Sequence, residues 1–117
     1  MHEMGIAMQV VEIAVASIPE ALKSVRVKSV RLKIGRLSSV VPDSLRFCFD
    51  IVSKESAIAG AVLEIEEIPV TAVCKACGNR WTIEGPAFSC PQCGQGSIQL
   101  TSGQELDIAS IEIEEDE

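Results

Sequence analysis

The spacing of apolar residues predicts two helices in the first half of the chain. In residues 4–18, apolar side chains recur at steps of three or four, at Met4, Met8, Val11, Val15 and Ile18. This spacing places them on one face of a helix, which Pro19 is expected to end. A second helix is expected after Pro42, because proline is tolerated in a first helical turn. The face that it would bury consists of Leu45, Cys48, Phe49 and Val52.

Alternation of apolar and polar residues predicts three strands. Residues 25–37 alternate with a change of phase near Ser29, and residues 61–70 alternate as well. The last strand is expected in residues 104–114, with apolar positions at Leu106, Ile108, Ile111 and Ile113. By contrast, residues 71–97 have no long apolar period and contain four cysteines among glycines and prolines.

The order of these segments predicts an α+β fold. Two helices would pack on a small three-stranded mixed sheet, in which the strand after the cysteine-rich segment rejoins the first two. The predicted division is an α+β domain of residues 1–70 and 98–117 with an inserted four-cysteine module of residues 71–97. The chain ends in the acidic run Glu114–Glu117, which is expected to be solvated.

Composition and charge narrow the classes of partner. The 117-residue chain has a formal net charge of −7, three Phe, one Trp and no Tyr. An acidic surface repels phosphate groups, and few rings are available to stack on bases, so neither nucleic acid nor a membrane is an expected partner. The first Lys or Arg is Lys23, so the N-terminus lacks the positive start of a signal peptide. No apolar run is long enough to span a bilayer. A cytoplasmic location is therefore expected.

Two cysteine pairs form the strongest chemical signal. Cys74 and Cys77 form one CxxC pair, and Cys90 and Cys93 form a second pair farther along the chain. Cytosolic thiols stay reduced, so paired cysteines there are typical metal ligands rather than disulfides. A glycine follows each pair and permits a tight turn. Four thiolates form a closed tetrahedral set that suits a structural zinc ion in a zinc ribbon.

Other interpretations of these cysteines remain open. They include reduced redox pairs, a disulfide framework, and an iron site like that of rubredoxin-like electron carriers. A zinc-ribbon interaction or nucleic-acid-binding protein is the alternative function, although residues 71–97 contain only Lys75 and Arg80 as cations. The fifth cysteine, Cys48, is interpreted as a small buried hydrophobic residue. No Cys–His pair, Ser–His–Asp set or phosphate-binding glycine-rich motif is present, so the chain is not expected to be an enzyme.

The N-terminus offers a second metal site. The chain begins Met1-His2-Glu3, and His2 is its only histidine. The His2 imidazole can bind one ion together with the Met1 amine and the amide nitrogen between the two residues. The Glu3 amide or carboxylate can supply a fourth donor. This nitrogen-rich set favours planar Ni²⁺ or Cu²⁺, and reduced cytosolic copper prefers thiolates. Nickel is therefore the expected ion. An accessible site at the end of the chain suits a carrier, which must release its ion.

Proton competition gives this site a pH dependence. Imidazoles and α-amino groups have ordinary pKa values of about 6.5 and about 7.7–8.0, so nickel affinity is expected to fall below about pH 7. Calorimetric titration at about pH 5.5 and about pH 7.5 measures this change. Equal affinities at the two pH values would contradict the site.

The opening Met1-His2-Glu3, the helix–strand–helix–strand order and the late CxxC pairs together resemble the HypA/HybF family of hydrogenase nickel-incorporation proteins. The resemblance covers the whole chain, and its motifs are the triplet, Cys74–Gly78 and Cys90–Gly94. It implies that His2 is the essential nickel ligand, that Met1 and Glu3 complete the nickel site, and that the four cysteines hold zinc.

The resemblance also implies a function. Members of this family are nickel metallochaperones in the maturation of NiFe hydrogenase. They work with a HypB-type GTPase and the hydrogenase large subunit, and some also serve urease maturation proteins. Residues 1–70 and 98–117 would then form the nickel-binding domain, and residues 71–97 the zinc-binding domain.

Overall fold

The computed structural model describes residues 2–22, 24–85 and 87–114. Its helices and strands, in chain order, are α1 (Glu3–Ser17), β1 (Val27–Gly35), α2 (Pro42–Ser53), β2 (Val62–Ile68), β3 (Val70–Cys74), β4 (Arg80–Ile83), β5 (Ile98–Ser102) and β6 (Leu106–Ile113). Both helices and the strands β1, β2 and β6 lie where the hydrophobic pattern predicts them, with ends that differ by a few residues. Beyond Glu114, the predicted acidic run lies outside the described residues.

The strands form two three-stranded sheets within the described chain. The first sheet is mixed and has the order β2–β1–β6, so the last strand lies beside the first, as the sequence predicts. The second sheet has the order β4–β3–β5 and is antiparallel. The predicted α+β fold with two helices and a small mixed sheet is thereby confirmed.

The second sheet corrects the expectation for the cysteine-rich segment. The hydrophobic pattern predicts no strand in residues 71–97, yet β4 lies wholly inside this range and β3 overlaps its start. Across this sheet, Ala72 lies opposite Trp81 on one side and Leu100 on the other. Strands of four or five residues contain too few alternating positions for a period to stand out.

The described chain divides into two compact units. The ribbon unit comprises Ile34–Ser38 and Glu67–Leu106 and contains the second sheet and both cysteine pairs. The helical unit comprises the rest of the described chain, including α1 and α2. The ribbon unit includes the predicted module of residues 71–97 and extends beyond it on both sides. The assignment of nickel and zinc binding to the two predicted domains stays a prediction.

The core of the helical unit is built from aliphatic side chains and one Phe. Its largest fully buried side chains are Val27, Val30, Leu32, Leu45, Phe49 and Ile58. Burying each such side chain stabilises the fold by roughly 1.5–3 kcal/mol. Along β1, the consecutive residues Ser29 and Val30 are both buried, which is where the sequence pattern changes phase. In α2, three residues of the predicted face, Leu45, Cys48 and Phe49, are buried, and the fourth, Val52, is half-buried.

Helix α1 buries a different face from the one predicted. Its buried residues are Ala7, Val10, Val11 and Ala14, whereas Met4 and Met8 are exposed. The helix has apolar residues on several sides, so the large ones do not mark its packed face. The two buried alanines instead allow close approach to α2. Within the described ranges, no helix has the length and apolarity needed to cross a membrane.

Candidate metal centre

The first cysteine pair forms a tight turn at the end of β3. Cys74 is the last residue of that strand, and its carbonyl accepts a hydrogen bond from the Gly78 N–H at 2.9 Å. The Cys74 N–H donates to the Asn79 carbonyl at 2.8 Å. Gly78 has a φ of +79°, a left-handed conformation that glycine adopts without steric cost. We call this turn, residues 74–79, the first knuckle.

The second cysteine pair repeats this geometry. The Gly94 N–H donates to the Cys90 carbonyl at 2.8 Å, and the Cys90 N–H donates to the Gln95 carbonyl at 2.9 Å. Gly94 has a φ of +75°. Residues 90–95 therefore form a second knuckle equivalent to the first, and both knuckles use glycine at the position where the sequence predicts a tight turn.

Strand pairing sets the two knuckles beside each other. The first knuckle connects β3 to β4, which pair in an antiparallel hairpin. Cys74 is paired with Ile98 of β5, and the Lys75 N–H donates to the Ser97 carbonyl at 2.8 Å. Since the second knuckle ends at Gln95, two residues before Ser97, this pairing holds it next to the first.

The four cysteine sulfurs form one compact cluster. All lie within 4.8 Å of one another. The Sγ atoms of Cys74 and Cys93 are 3.5 Å apart, and those of Cys77 and Cys90 are 3.6 Å apart. In a tetrahedral site with Zn–S bonds of about 2.3 Å, sulfurs are about 3.8 Å apart. The fold thus brings together the four residues predicted from sequence, at a spacing that fits one zinc ion.

Each knuckle has one buried and one exposed cysteine. Cys74 and Cys90 are each 1% exposed, whereas Cys77 and Cys93 are exposed. The side chain of Asn79 reaches from the first knuckle to the second, and its Nδ2 lies 3.8 Å from the Cys90 sulfur. An N–H group directed at a thiolate stabilises the negative charge that a metal ligand requires.

Backbone N–H groups favour ionisation of the first cysteine in each pair. The N–H of Cys77, followed by others in the knuckle, lowers the pKa of the Cys74 thiol. Burial raises the pKa of Cys90, but hydrogen bonds from the Cys93 N–H and neighbouring groups outweigh it and lower that pKa to about 6. The two buried sulfurs are therefore the ones that the fold stabilises as thiolates.

The second cysteine in each pair behaves in the opposite way. The Asn79 N–H lowers the pKa of Cys77, but burial and the neighbouring sulfurs outweigh it and raise that pKa to about 12. The Gln95 N–H likewise lowers the pKa of Cys93, yet the Cys74 sulfur and burial raise it overall. Four adjacent thiols cannot all ionise without a compensating cation. A divalent metal ion supplies that charge.

Two of the three predicted nickel residues, His2 and Glu3, lie at the start of α1. His2 is exposed at the N-cap, and its carbonyl accepts the Ile6 N–H at 3.1 Å. Glu3 is the first residue of the helix, and its Oε2 accepts the Val41 N–H at 3.2 Å. This hydrogen bond is the main cause of a lowered pKa at the Glu3 carboxyl. Met1 lies outside the described residues, so its part in the site stays a prediction.

Two residues beside these sites have no signal in the sequence. Val41 contacts Glu3 from 38 positions away, and Asn79 contacts Cys90 from 11 positions away. Spacing patterns identify groups of ligands, whereas residues that orient a ligand from another turn or helix have no fixed spacing. Cys48 is buried in α2 within the helical unit, in agreement with its interpretation as a core residue.

The fold and the sulfur cluster together define a small α+β metal-binding protein with a ribbon-type module. Residues 1–113 match the family described as hydrogenase/urease nickel incorporation, metallochaperone, HypA. The chain belongs to the HypA family, in agreement with the resemblance of its motifs.

Two relatives support this membership. The hydrogenase maturation factor HypA of Desulfosudis oleivorans is 53% identical over 115 residues, which cover 98% of this chain and 100% of the relative. That of Desulfatibacillum aliphaticivorans is 50% identical over 117 residues, which cover 100% of this chain and 90% of the relative.

Two solved structures share the fold. The solution structure of the Ni metallochaperone HypA from Helicobacter pylori has a TM-score of 0.57 at 23% identity, covering 91% of this chain and 95% of that one. A second solution structure of a HypA protein has a TM-score of 0.63 at 24% identity, covering 89% and 92%. At these identities the likeness shows a shared fold.

Proposed function

We propose that this chain is a nickel metallochaperone that binds Ni²⁺ at its N-terminus and delivers it during maturation of NiFe hydrogenase. Membership of the HypA family supports the role, and relatives named hydrogenase maturation factor match nearly its whole length. The observation that carries the proposal is the exposed His2 at the start of α1, beside Glu3. An ion bound at such an exposed helix end is accessible to a receiving protein.

The proposed nickel ligands come from three consecutive residues. The Met1 amine, the His2 imidazole and the amide nitrogen between them would wrap a planar ion, and Glu3 would complete the set. Planar, nitrogen-rich donor sets of this kind favour Ni²⁺, whereas Zn²⁺ prefers tetrahedral sites. The hydrogen bond from Ile6 to the His2 carbonyl fixes the backbone from which the imidazole projects.

We assign the sulfur cluster to a structural zinc ion. Cys74, Cys77, Cys90 and Cys93 would hold it, and the bound ion supplies the fixed positive charge that four thiolates need. Four sulfur ligands leave no position for a substrate or water, so the site suits a structural role. The ion would stabilise a unit whose short strands bury few large side chains.

The proposed partners follow from the family. They are a HypB-type GTPase and the hydrogenase large subunit, with urease maturation proteins as further candidates, because the family description names both hydrogenase and urease. A net charge of −7 favours basic protein surfaces over nucleic acid. The proposed location is the cytoplasm, where the cysteine thiols would stay reduced and free to bind metal.

Nickel titration of the wild-type protein and of His2→Ala tests the proposal. We expect nickel binding to be lost in the variant, because the imidazole is the donor that anchors the planar set. Zinc content should stay at one ion per chain in both proteins. Met8→Ala is a matched control, since Met8 is exposed on the same helix and should leave nickel binding unchanged. Equal nickel affinity of wild type and His2→Ala would overturn the proposal.

A further inference from the structure

A hydrogen bond between two helix starts holds the side chain of Glu3. Its Oε2 accepts the backbone N–H of Val41, the N-cap residue of α2, at 3.2 Å. Both residues belong to the helical unit. The Val41 carbonyl accepts the first α-helical hydrogen bond of α2, from Leu45 at 3.0 Å. Glu3 therefore contacts the residue that directly precedes α2.

The position of this contact matches a known capping arrangement. In a capping box, a Glu or Gln at the third helical position accepts the N-cap N–H. In α2 the third helical position is Ser44, whose side chain is too short for that role. Glu3 supplies the missing carboxylate from α1, where α2 presents its positive end. The carboxylate thus has a structural partner suited to its charge.

A second hydrogen bond restrains the same stretch of backbone. The His2 carbonyl accepts the Ile6 N–H at 3.1 Å, which fixes the residue before Glu3 to the first turn of α1. Glu3 is fixed from the other side by Val41. One bond holds the His2–Glu3 peptide itself and the other holds the Glu3 side chain, so together they restrain the backbone that carries the exposed His2 side chain.

We propose that Glu3 is a positioning residue, whose carboxylate holds the start of the chain on Val41 and does not coordinate nickel. This inference rests on the proposed nickel site and decides which group of Glu3 acts there. A carboxylate that moved to the ion would leave the Val41 N–H without this acceptor. A planar Ni²⁺ ion is instead served by nitrogen donors, so the carboxylate keeps its bond to α2.

The variants Glu3→Gln and Glu3→Ala separate positioning from coordination. Glutamine retains an oxygen that can accept the Val41 N–H but is a poor nickel ligand, whereas alanine has no acceptor. We expect nickel affinity to fall about tenfold in Glu3→Ala and no more than about threefold in Glu3→Gln, because a neutral hydrogen bond is weaker than a charge-assisted one. A coordinating carboxylate would give equal losses in both variants, which would overturn the inference.

Removing the donor instead of the acceptor gives an independent test. Val41 has φ −89° and ψ 112°, an extended conformation that suits a residue before proline and is about 25° from proline's own φ, so Val41→Pro removes the N–H with a modest backbone adjustment. We expect the nickel affinity of Val41→Pro to match that of Glu3→Ala. The double variant that combines the two substitutions should show no further loss of affinity. Val41→Ala, which keeps the N–H, is the control and should bind nickel as wild type does.

Amide exchange of Val41 and the nickel absorption spectrum complete the experiment. We expect the Val41 N–H to exchange slowly in wild type and Glu3→Gln and faster in Glu3→Ala. The planar Ni²⁺ spectrum should be unchanged in Glu3→Gln. A changed spectrum in that variant, or full nickel affinity in Glu3→Ala, would overturn the inference. Normal nickel binding by His2→Ala in the same series would instead overturn the proposed function, so the two failures are distinguishable.

Discussion

Asn79 joins the two cysteine knuckles through both its backbone and its side chain. Its carbonyl accepts the Cys74 N–H at 2.8 Å, while its Nδ2 lies 3.8 Å from the Cys90 sulfur. One residue therefore contacts the buried cysteine of each knuckle. Groups that hydrogen-bond a metal ligand orient it and stabilise its charged form, so Asn79 should strengthen zinc binding.

Substitution of Asn79 tests this role. We expect Asn79→Ala to lower zinc affinity about tenfold, as the loss of an outer-shell hydrogen bond does in other metal sites. Competition with a chromophoric chelator measures the change. Gln95→Ala is the matched control, because Gln95 has the equivalent backbone position in the second knuckle. Equal zinc affinities for the two variants would contradict a specific role of the Asn79 side chain.

The proposed ligands at both sites could be recognised in the sequence because they lie close together along the chain. The CxxC pairs and the N-terminal triplet are each contained in a few residues. Val41 and Asn79 act on them from another helix or turn, and their residue types are ordinary for their positions. Only the folded structure brings these residues to the ligands.

Two glycines, Gly35 and Gly5, differ in how closely other parts of the chain approach them. Gly35 ends β1, and a Cβ there would overlap the backbone of Gly103 and the nitrogen of Gln104. Gly103 has a φ of +113° and approaches Val70 closely. Gly5, in contrast, lies within α1 with open space around its Cα. One glycine is required by packing and the other is not.

Alanine at the two positions should change stability in opposite directions. We expect Gly35→Ala to lower the free energy of unfolding by about 2–3 kcal/mol, because the added methyl group forces the two backbones apart. Gly5→Ala should raise it by about 0.5–1 kcal/mol, because alanine restricts the unfolded chain and favours helix. Urea unfolding measures both. A tolerated Gly35→Ala would show that the backbones do not approach as described.

The length of a helix or strand decides whether its position can be predicted from the hydrophobic pattern. The 15-residue α1, the 12-residue α2 and the longer strands show enough of a period to be located. Strands β3, β4 and β5 are too short for this, and they form only because neighbouring strands pair with them. The packed face of α1 is also set by its neighbour, since two alanines and two valines are buried there while Met4 and Met8 are exposed.

At the scale of the whole molecule, the two units differ in what stabilises them. The helical unit has a core that includes Phe49, Leu32 and Leu45. In the ribbon unit, the fully buried residues of largest volume are Cys74 and Cys90, which belong to the sulfur cluster. Removing a metal from that cluster should therefore affect the ribbon unit far more than the helical unit.

Zinc removal should change a spectroscopic signal of the ribbon unit and leave that of the helical unit unchanged. We expect a strong chelator to change the fluorescence of Trp81, the single Trp of the chain, because it lies in β4 opposite Ala72. The helical circular dichroism signal should persist, since both helices lie in the other unit. Cys48→Ala, outside the cluster, should retain one zinc ion and show the same response. Loss of the helical signal together with zinc would contradict independent stabilisation.

The overall α+β architecture could be predicted because its segments are long and follow in a simple order. The extent of the ribbon unit could not be predicted in this way. Residues 34–38 belong to it through contacts such as the hydrogen bond from the Leu37 N–H to the Gly103 carbonyl, at 2.8 Å. A contact between residues so far apart in sequence leaves no local pattern.

Nickel X-ray absorption on the protein loaded with zinc and one equivalent of Ni²⁺ shows whether nickel binds at the N-terminus. We expect a planar nickel site with nitrogen neighbours, no nickel–sulfur scattering, and an imidazole contribution that disappears in His2→Ala. Nickel bound to sulfur, or an unchanged spectrum in His2→Ala, would show that the ion resides in the cysteine cluster or elsewhere. Either result would contradict delivery of nickel from the start of the chain.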